Sequence, residues 1–164
     1  LLKNKMDALV VVGGDDSNTN ACVIAEYLKQ QNETFDIIAS SPLMRANATA
    51  HVIKEVLGKN EEVLVFPEFI EREFGDADGC NIEPNIYNRI INDDVNGMEK
   101  SYEIQNRVYN GLLKVLKENE DKESFLIVCH SHTIKALLTK LDKNRTFFKL
   151  IDLIRPKCLS THLE

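Results

Sequence analysis

No cluster of lysine and arginine gathers anywhere in these 164 residues, and the formal charge is −6. A nucleic-acid surface needs basic side chains collected on one face, so that partner class is excluded and any anion site must be local. No apolar run approaches the roughly 20 residues of a membrane-spanning helix, and residues 1–6 do not form a signal peptide. No membrane partner is expected. No Cys-x-x-Cys pair occurs either: Cys22, Cys80, Cys129 and Cys158 are scattered, with Cys22 and Cys129 inside apolar patterns. They are expected as reduced, mostly buried thiols of a cytoplasmic protein. Internal repeats, low-complexity tracts and linkers are missing too. What remains is a single domain over residues 1–164, long enough to remove roughly two thirds of its unfolded surface from water without disulfide or metal. The chain begins at Leu1 and not at a methionine, which leaves room for residues upstream.

What is present is a regular alternation. Residues 125–129 (FLIVC) have no polar alternation and predict a strand buried on both faces, after which Ile134, Leu137, Leu138 and Leu141 recur at helical spacing. His130 therefore sits at the carboxyl end of a strand, just before a helix. In open α/β sheets ligands bind at that edge, where the helix start presents free N–H groups and a positive dipole. A histidine there can meet an anion, or it can simply cap the strand inside the core.

Residues 8–12 (ALVVV) predict another buried strand, ended by Gly13 and Gly14, and residues 15–20 a polar turn that can cap a helix. Ala21, Ile24, Ala25 and Leu28 mark one face of that helix, which reaches about Gln31. A short strand at 35–39, a turn at Ser40-Ser41-Pro42, a helical stripe at Ala46, Ala50, Ile53 and Leu57, and a strand at 63–66 follow. Between 67 and 97 the pattern dissolves into glycine, proline, asparagine and acid, a length that inside a compact domain signals function or disorder. Ile104, Val108, Leu112, Val115 and Leu116 predict the core face of a long helix, and residues 158–163 a last strand. The fold class is α/β: a three-layer sandwich with a mostly parallel sheet and helices on both faces.

Arg45 falls in the first turn of the helix after Pro42. A cation at a helix amino terminus is opposed by the macrodipole by a few tenths of a kcal/mol or more. A phosphate would correct that, because guanidinium matches two of its oxygens at once; an acidic neighbour would also serve.

Four stretches together resemble the histidine phosphatase superfamily, the phosphoglycerate-mutase-like fold. They are Ser-Ser-Pro-Leu-x-Arg-Ala-x-x-Thr-Ala at 40–50, Glu71-Arg72-Glu73-Phe74-Gly75 with Gly79, Gly97-Met98-Glu99-Lys100-Ser101 leading to Arg107-Val108, and Val128-Cys129-His130 with Ile134. The resemblance implies phosphoryl transfer through a phosphohistidine, without metal or organic cofactor, on a small phosphorylated substrate. It makes His130 the second histidine and Arg45 the clamp on the phosphoryl oxygens. Glu71 becomes the acid that protonates the leaving oxygen, its pKa raised by a nearby dianion, and Arg72 a contact to the substrate beyond the phosphate. Ser131 can offer its backbone N–H to a phosphoryl oxygen.

Two departures accompany it. The family's opening Arg-His-Gly-Glu-Thr, whose histidine attacks phosphorus, is not seen, and Gly13-Gly14-Asp15-Asp16-Ser17-Asn18-Thr19-Asn20 stands in its place. Either the attacking histidine lies in residues outside this sequence, or the domain is a pseudophosphatase that binds phosphate without turnover. The family's usual glycine after the second histidine is replaced by Ser131, followed by His132. The acid motif and residues 97–101 lie close together, without the long insertion of phosphoglycerate-mutase-type phosphotransferases. That compactness favours a phosphomonoester hydrolase open to water.

Overall fold

The computed structural model describes residues 17–81 and 83–141. The expected strands at 8–12 and 158–163, the glycine pair at 13–14 and Cys158 lie outside them. Among the described residues the order is α1 (Ser17–Gln30), β1 (Ile37–Ser40), α2 (Met44–Val56), β2 (Leu64–Val65), α3 (Pro84–Ile91), α4 (Ser101–Glu118), β3 (Phe125–Val128) and α5 (Ser131–Leu141). Two 3-10 turns, Pro67–Phe69 and Gly75–Ala77, interrupt the connection from β2 to α3.

The three strands pair in parallel in the order β2-β1-β3. Because side chains alternate along a strand, the sheet has two apolar faces. Ile38, Leu126 and Val128 pack with Ala25 and Leu28 of α1 and Ala46, Ala50 and Ile53 of α2. Ala39, Phe125, Ile127 and Cys129 pack on the opposite side with Ile104, Val108, Leu112 and Val115 of α4 and Ala136 and Leu137 of α5. Helices thus cover both faces, as the unbroken apolar strands require. Alanines at 21, 25, 46 and 50 let α1 and α2 lie close together on their side.

Register decides where the turns emerge. Ser40 of β1 stands beside Val128 of β3. The Ser41 N–H donates to the Val128 carbonyl at 3.0 Å, extending the ladder by one bond. Ser41 and His130 therefore leave the sheet side by side at its carboxyl edge.

Two expectations differ from the structure. The connection from 67 to 97 contains the helix α3, begun by Pro84 at a position where a missing N–H costs nothing. Only Ile90 of that helix is buried; it joins Val95 and Met98 in a small satellite core with Phe74, Ala77 and Ile86 packed against it. Cys22 was expected buried, yet it and Cys80 are exposed, and only Cys129 of the described cysteines is buried. The buried face of α1 runs through Ala21, Ala25 and Leu28, and the residue after Ala21 is turned about 100° from it.

Candidate active site

His130 is 2% exposed and its Nε2 lies 2.8 Å from the Ser41 Oγ, a contact between residues 89 apart in sequence. Ser41 is itself fully buried, and its Oγ accepts the Leu43 N–H at 3.2 Å. Strand register brings the two turns together, and this hydroxyl fixes the imidazole between them. Burial lowers the pKa of His130, and the Arg45 charge pushes the same way, while Glu71 opposes both. Both charges are thus close enough to act on the ring.

Arg45 is the second residue of α2 and is exposed. Leu43, in extended conformation, precedes the helix without any side-chain cap. A second helix, α5, starts at the same edge directly after His130, whose carbonyl accepts the Ile134 N–H at 2.9 Å. Ser131, exposed, is its first residue. Two helix starts and one guanidinium at one edge make a setting for an anion.

Glu71 reaches this edge from the connection after β2. Its Oε1 accepts the Arg72 N–H at 2.9 Å, and His132 Nδ1 lies 3.9 Å from its Oε2. Burial pushes its carboxyl up, but the nearby His132 ring, the Arg72 N–H and the charge of His130 outweigh it. Its pKa is therefore lowered, opposite in direction to the rise expected beside a dianion. The backbone preceding it is pinned from two helices. Thr133 Oγ1 of α5 donates to the Ile70 carbonyl at 2.9 Å, and Arg107 Nη1 of α4 donates to the carbonyls of Glu68 and Ile70 at 2.8 and 3.0 Å. Arg107 also binds the Glu99 carboxylate through Nε and Nη2 at 2.7 and 2.6 Å. Gly111 lets α4 approach this segment, since a Cβ there would stand 2.5 Å from the Glu68 Cβ.

Arg45, Glu71, His130 and Ser131 are thus brought to one edge. Arg72 is not: its side chain is 0% exposed, and its guanidinium donates to the Glu99 carbonyl, Asp93 and Ser101. Asp93 also accepts the Ser101 N–H and hydroxyl at 2.9 and 2.8 Å, so this arginine closes the loop onto the start of α4. Ser41, Thr133 and Arg107 received no role from sequence reasoning. Ser41 and Arg107 stood inside the quoted stretches, but their partners lie far away along the chain. Among the described residues no group of three or more His, Cys, Asp or Glu is placed to hold a metal ion, and no helix is long and apolar enough to cross a membrane.

The depressed basicity of His130 sets a pH dependence. Its ordinary value, 6.5, falls on folding, so the unfolded chain takes up this proton first as the solution is acidified. Its contribution to stability is complete above about pH 6.5 and is lost as pH falls below that value. Glu71, lowered from 4.5, adds a second loss below its own range. Thermal melts across this range are expected to show a melting temperature falling from about pH 6.5 downward. In His130→Gln the decline above the carboxylate range should disappear.

The sequence model of the histidine phosphatase superfamily (branch 1) matches residues 15–162. The chain belongs to that superfamily. A protein of Bacillus subtilis (strain 168) described as uncharacterized phosphatase PhoE is 37% identical over 116 residues, 71% of this chain and 57% of its own length. A shorter likeness, 32% over 75 residues, is to the pyrophosphate–fructose 6-phosphate 1-phosphotransferase subunit beta 2 of Arabidopsis thaliana, covering 46% of this chain and 13% of that protein. The chain therefore spans a little over half of the first curated relative and a small part of the second. Among solved structures, the alpha-ribazole phosphatase of Shigella flexneri superposes with a TM-score of 0.63 at 21% identity, covering 81% of this chain and 77% of that one. The phosphoserine phosphatase of Entamoeba histolytica, solved as a mutant with phosphoserine, gives 0.60 at 24% identity with the same coverage of 81% and 77%. At such identities the superpositions speak for the histidine phosphatase fold, in keeping with the parallel sheet and its two helical layers.

Proposed function

We propose that this domain binds the phosphoryl group of a small phosphorylated metabolite between Arg45 and His130, and that the reaction it serves is hydrolysis of the phosphomonoester through a phosphohistidine. The observation that carries this reading is the 2.8 Å contact of His130 Nε2 with Ser41 Oγ, which ties the turn bearing the histidine to the turn leading into Arg45. Arg45, a neutral or protonated His130 and the Ser131 N–H then meet the three equatorial oxygens of the transferring group, where charge spreads in the transition state.

In the first step a histidine nitrogen bonds to phosphorus while the P–O bond to the leaving group breaks, and Glu71 gives its proton to the departing oxygen. In the second, water attacks phosphorus, Glu71 takes the water's proton, and the P–N bond breaks to release inorganic phosphate. An arriving dianion raises the Glu71 pKa by repulsion, which loads the acid when substrate is present. General-acid action of this kind is worth about 10²–10⁴ in rate.

The attacking histidine of this scheme belongs in the family's opening motif, and the sequence carries Gly13-Gly14 there. That pair favours a second reading, a pseudophosphatase that holds phosphate without turnover. A phosphoglycerate-mutase-type phosphotransferase fits less well, since only 27 positions separate Glu71 from Met98, leaving little room for a covering insertion.

Calorimetric titration with inorganic phosphate and an assay with an aryl phosphate test these readings. Binding together with hydrolysis that His130→Ala abolishes supports the hydrolase; binding without hydrolysis supports the pseudophosphatase. Absence of binding overturns both.

A further inference from the structure

The histidine two residues after His130 has no part in the scheme above, yet it stands against its acid. His132 Nδ1 is 3.9 Å from Glu71 Oε2, within ion-pair reach. Its ring meets Phe74 edge to face, with centroids 4.9 Å apart at 81°. Phe74 in turn lies under the Arg72 guanidinium at 6.0 Å. The imidazole is thus gripped between a carboxylate and an aromatic ring of the same loop, while its own backbone belongs to the first turn of α5. It spans the two elements whose relative placement decides whether Glu71 points at the phosphoryl site.

We propose that His132 is a positioning residue for Glu71, aiming the carboxyl at the leaving oxygen and compensating its charge while the phosphoryl dianion enters. The inference rests on the reading of Glu71 as the acid. Two like-charged groups, a carboxylate and a phosphate dianion, must share a small space before the proton reaches Glu71, and repulsion there costs affinity. The His132 imidazole beside the carboxylate lowers that cost. The other ionisable groups facing this pair are His130 from the end of β3, Arg45 from α2 acting on that histidine, and Arg72 through its backbone N–H on the same loop. Thr133, next along α5, holds the Ile70 carbonyl, so the loop is tied on one side while His132 sets the other.

His132→Phe keeps an aromatic ring for the Phe74 contact and removes both nitrogens; His132→Gln keeps a hydrogen-bonding group and removes the imidazole. The carbon-13 signal of the Glu71 carboxyl, followed through acid titration of the intact chain, reads the coupling directly. In both variants its midpoint is expected to rise by about one unit, the usual size of a lost partner contact, and less in the Gln variant. Affinity for inorganic phosphate at neutral pH is expected to fall several-fold in both. A Glu71 midpoint equal to the parent's in His132→Phe, with the melting temperature kept, would overturn the proposal and leave His132 as packing for Phe74. Should the parent bind no phosphate, the proposed function fails, while the carboxyl titration still decides whether His132 governs Glu71.

Discussion

Replacing Arg45 with alanine is expected to weaken inorganic phosphate binding about 100-fold while leaving the melting temperature unchanged or slightly higher. The affinity loss follows from two charge-assisted hydrogen bonds to one anion, together worth about 3 kcal/mol. Stability is expected to change in the opposite sense. Arg45 is exposed in the first turn of α2, where the macrodipole opposes its charge and alanine is the better helix former. Thr49 Oγ1 donates to the Arg45 backbone carbonyl at 2.9 Å, a bond that survives the change. A residue kept against its local preference has its reason elsewhere. Calorimetric titration and thermal melts of the same preparation check both halves, and a lower melting temperature with unchanged affinity would make Arg45 a structural residue.

Gly75→Ala is expected to destabilise the domain by about 2–4 kcal/mol, the largest stability effect of any single methyl group added at the site. Gly75 has φ +56°, which an L side chain rarely adopts, and its Cβ would stand 2.2 Å from the Asn96 carbonyl oxygen and 2.5 Å from the Gly97 carbonyl carbon. Both obstacles are backbone and cannot swing aside. The two segments are laced by hydrogen bonds on either side, Asp76 N–H to Asn96 O and Glu99 N–H to Glu73 O, each at 3.0 Å. Prying them apart would also loosen the loop that carries Glu71. Gly79 is the control, with φ +72° and nothing within 4 Å of an added Cβ, so its alanine variant isolates the backbone cost of about 1 kcal/mol. Urea denaturation of both variants separates the two contributions. Equal losses would mean that the close approach at Gly75 contributes nothing.

The layers of the fold were legible because they rest on strong periodic signals. Residues 125–129 lack any polar alternation, and a strand covered by helices on both faces is the arrangement that tolerates this. The stripe from Ile104 to Val115 is buried along α4 as its spacing required. Helix α3 escaped although Ile86 and Ile90 stand one helical turn apart, because the run is only eight residues long and is set among glycine, proline and asparagine; a satellite core, and not the main one, holds it.

At the site, residue identity was more legible than residue placement. Arg45, Glu71 and His130 announced themselves through helix position and motif, but the hydroxyl of Ser41 matters only because strand register sets it opposite a histidine 89 positions away. Arg72 looked like its neighbour Glu71 in the sequence. Its orientation is decided by Asp93, which lies 21 positions further along and has no pattern to advertise it. The direction of the Glu71 pKa also depended on His132, a partner 61 positions distant whose approach no local spacing could reveal.

In the proposed function, two turns at the carboxyl edge of one sheet hold a single tetrahedral anion. A crystal of this chain soaked in orthovanadate tests it most directly. Vanadate oxygens are expected within hydrogen-bond reach of the Arg45 guanidinium and the His130 imidazole, with the Glu71 carboxyl facing the remaining oxygen. Vanadate bound away from Arg45 and His130, or a fully occupied site touching only one of them, would contradict it.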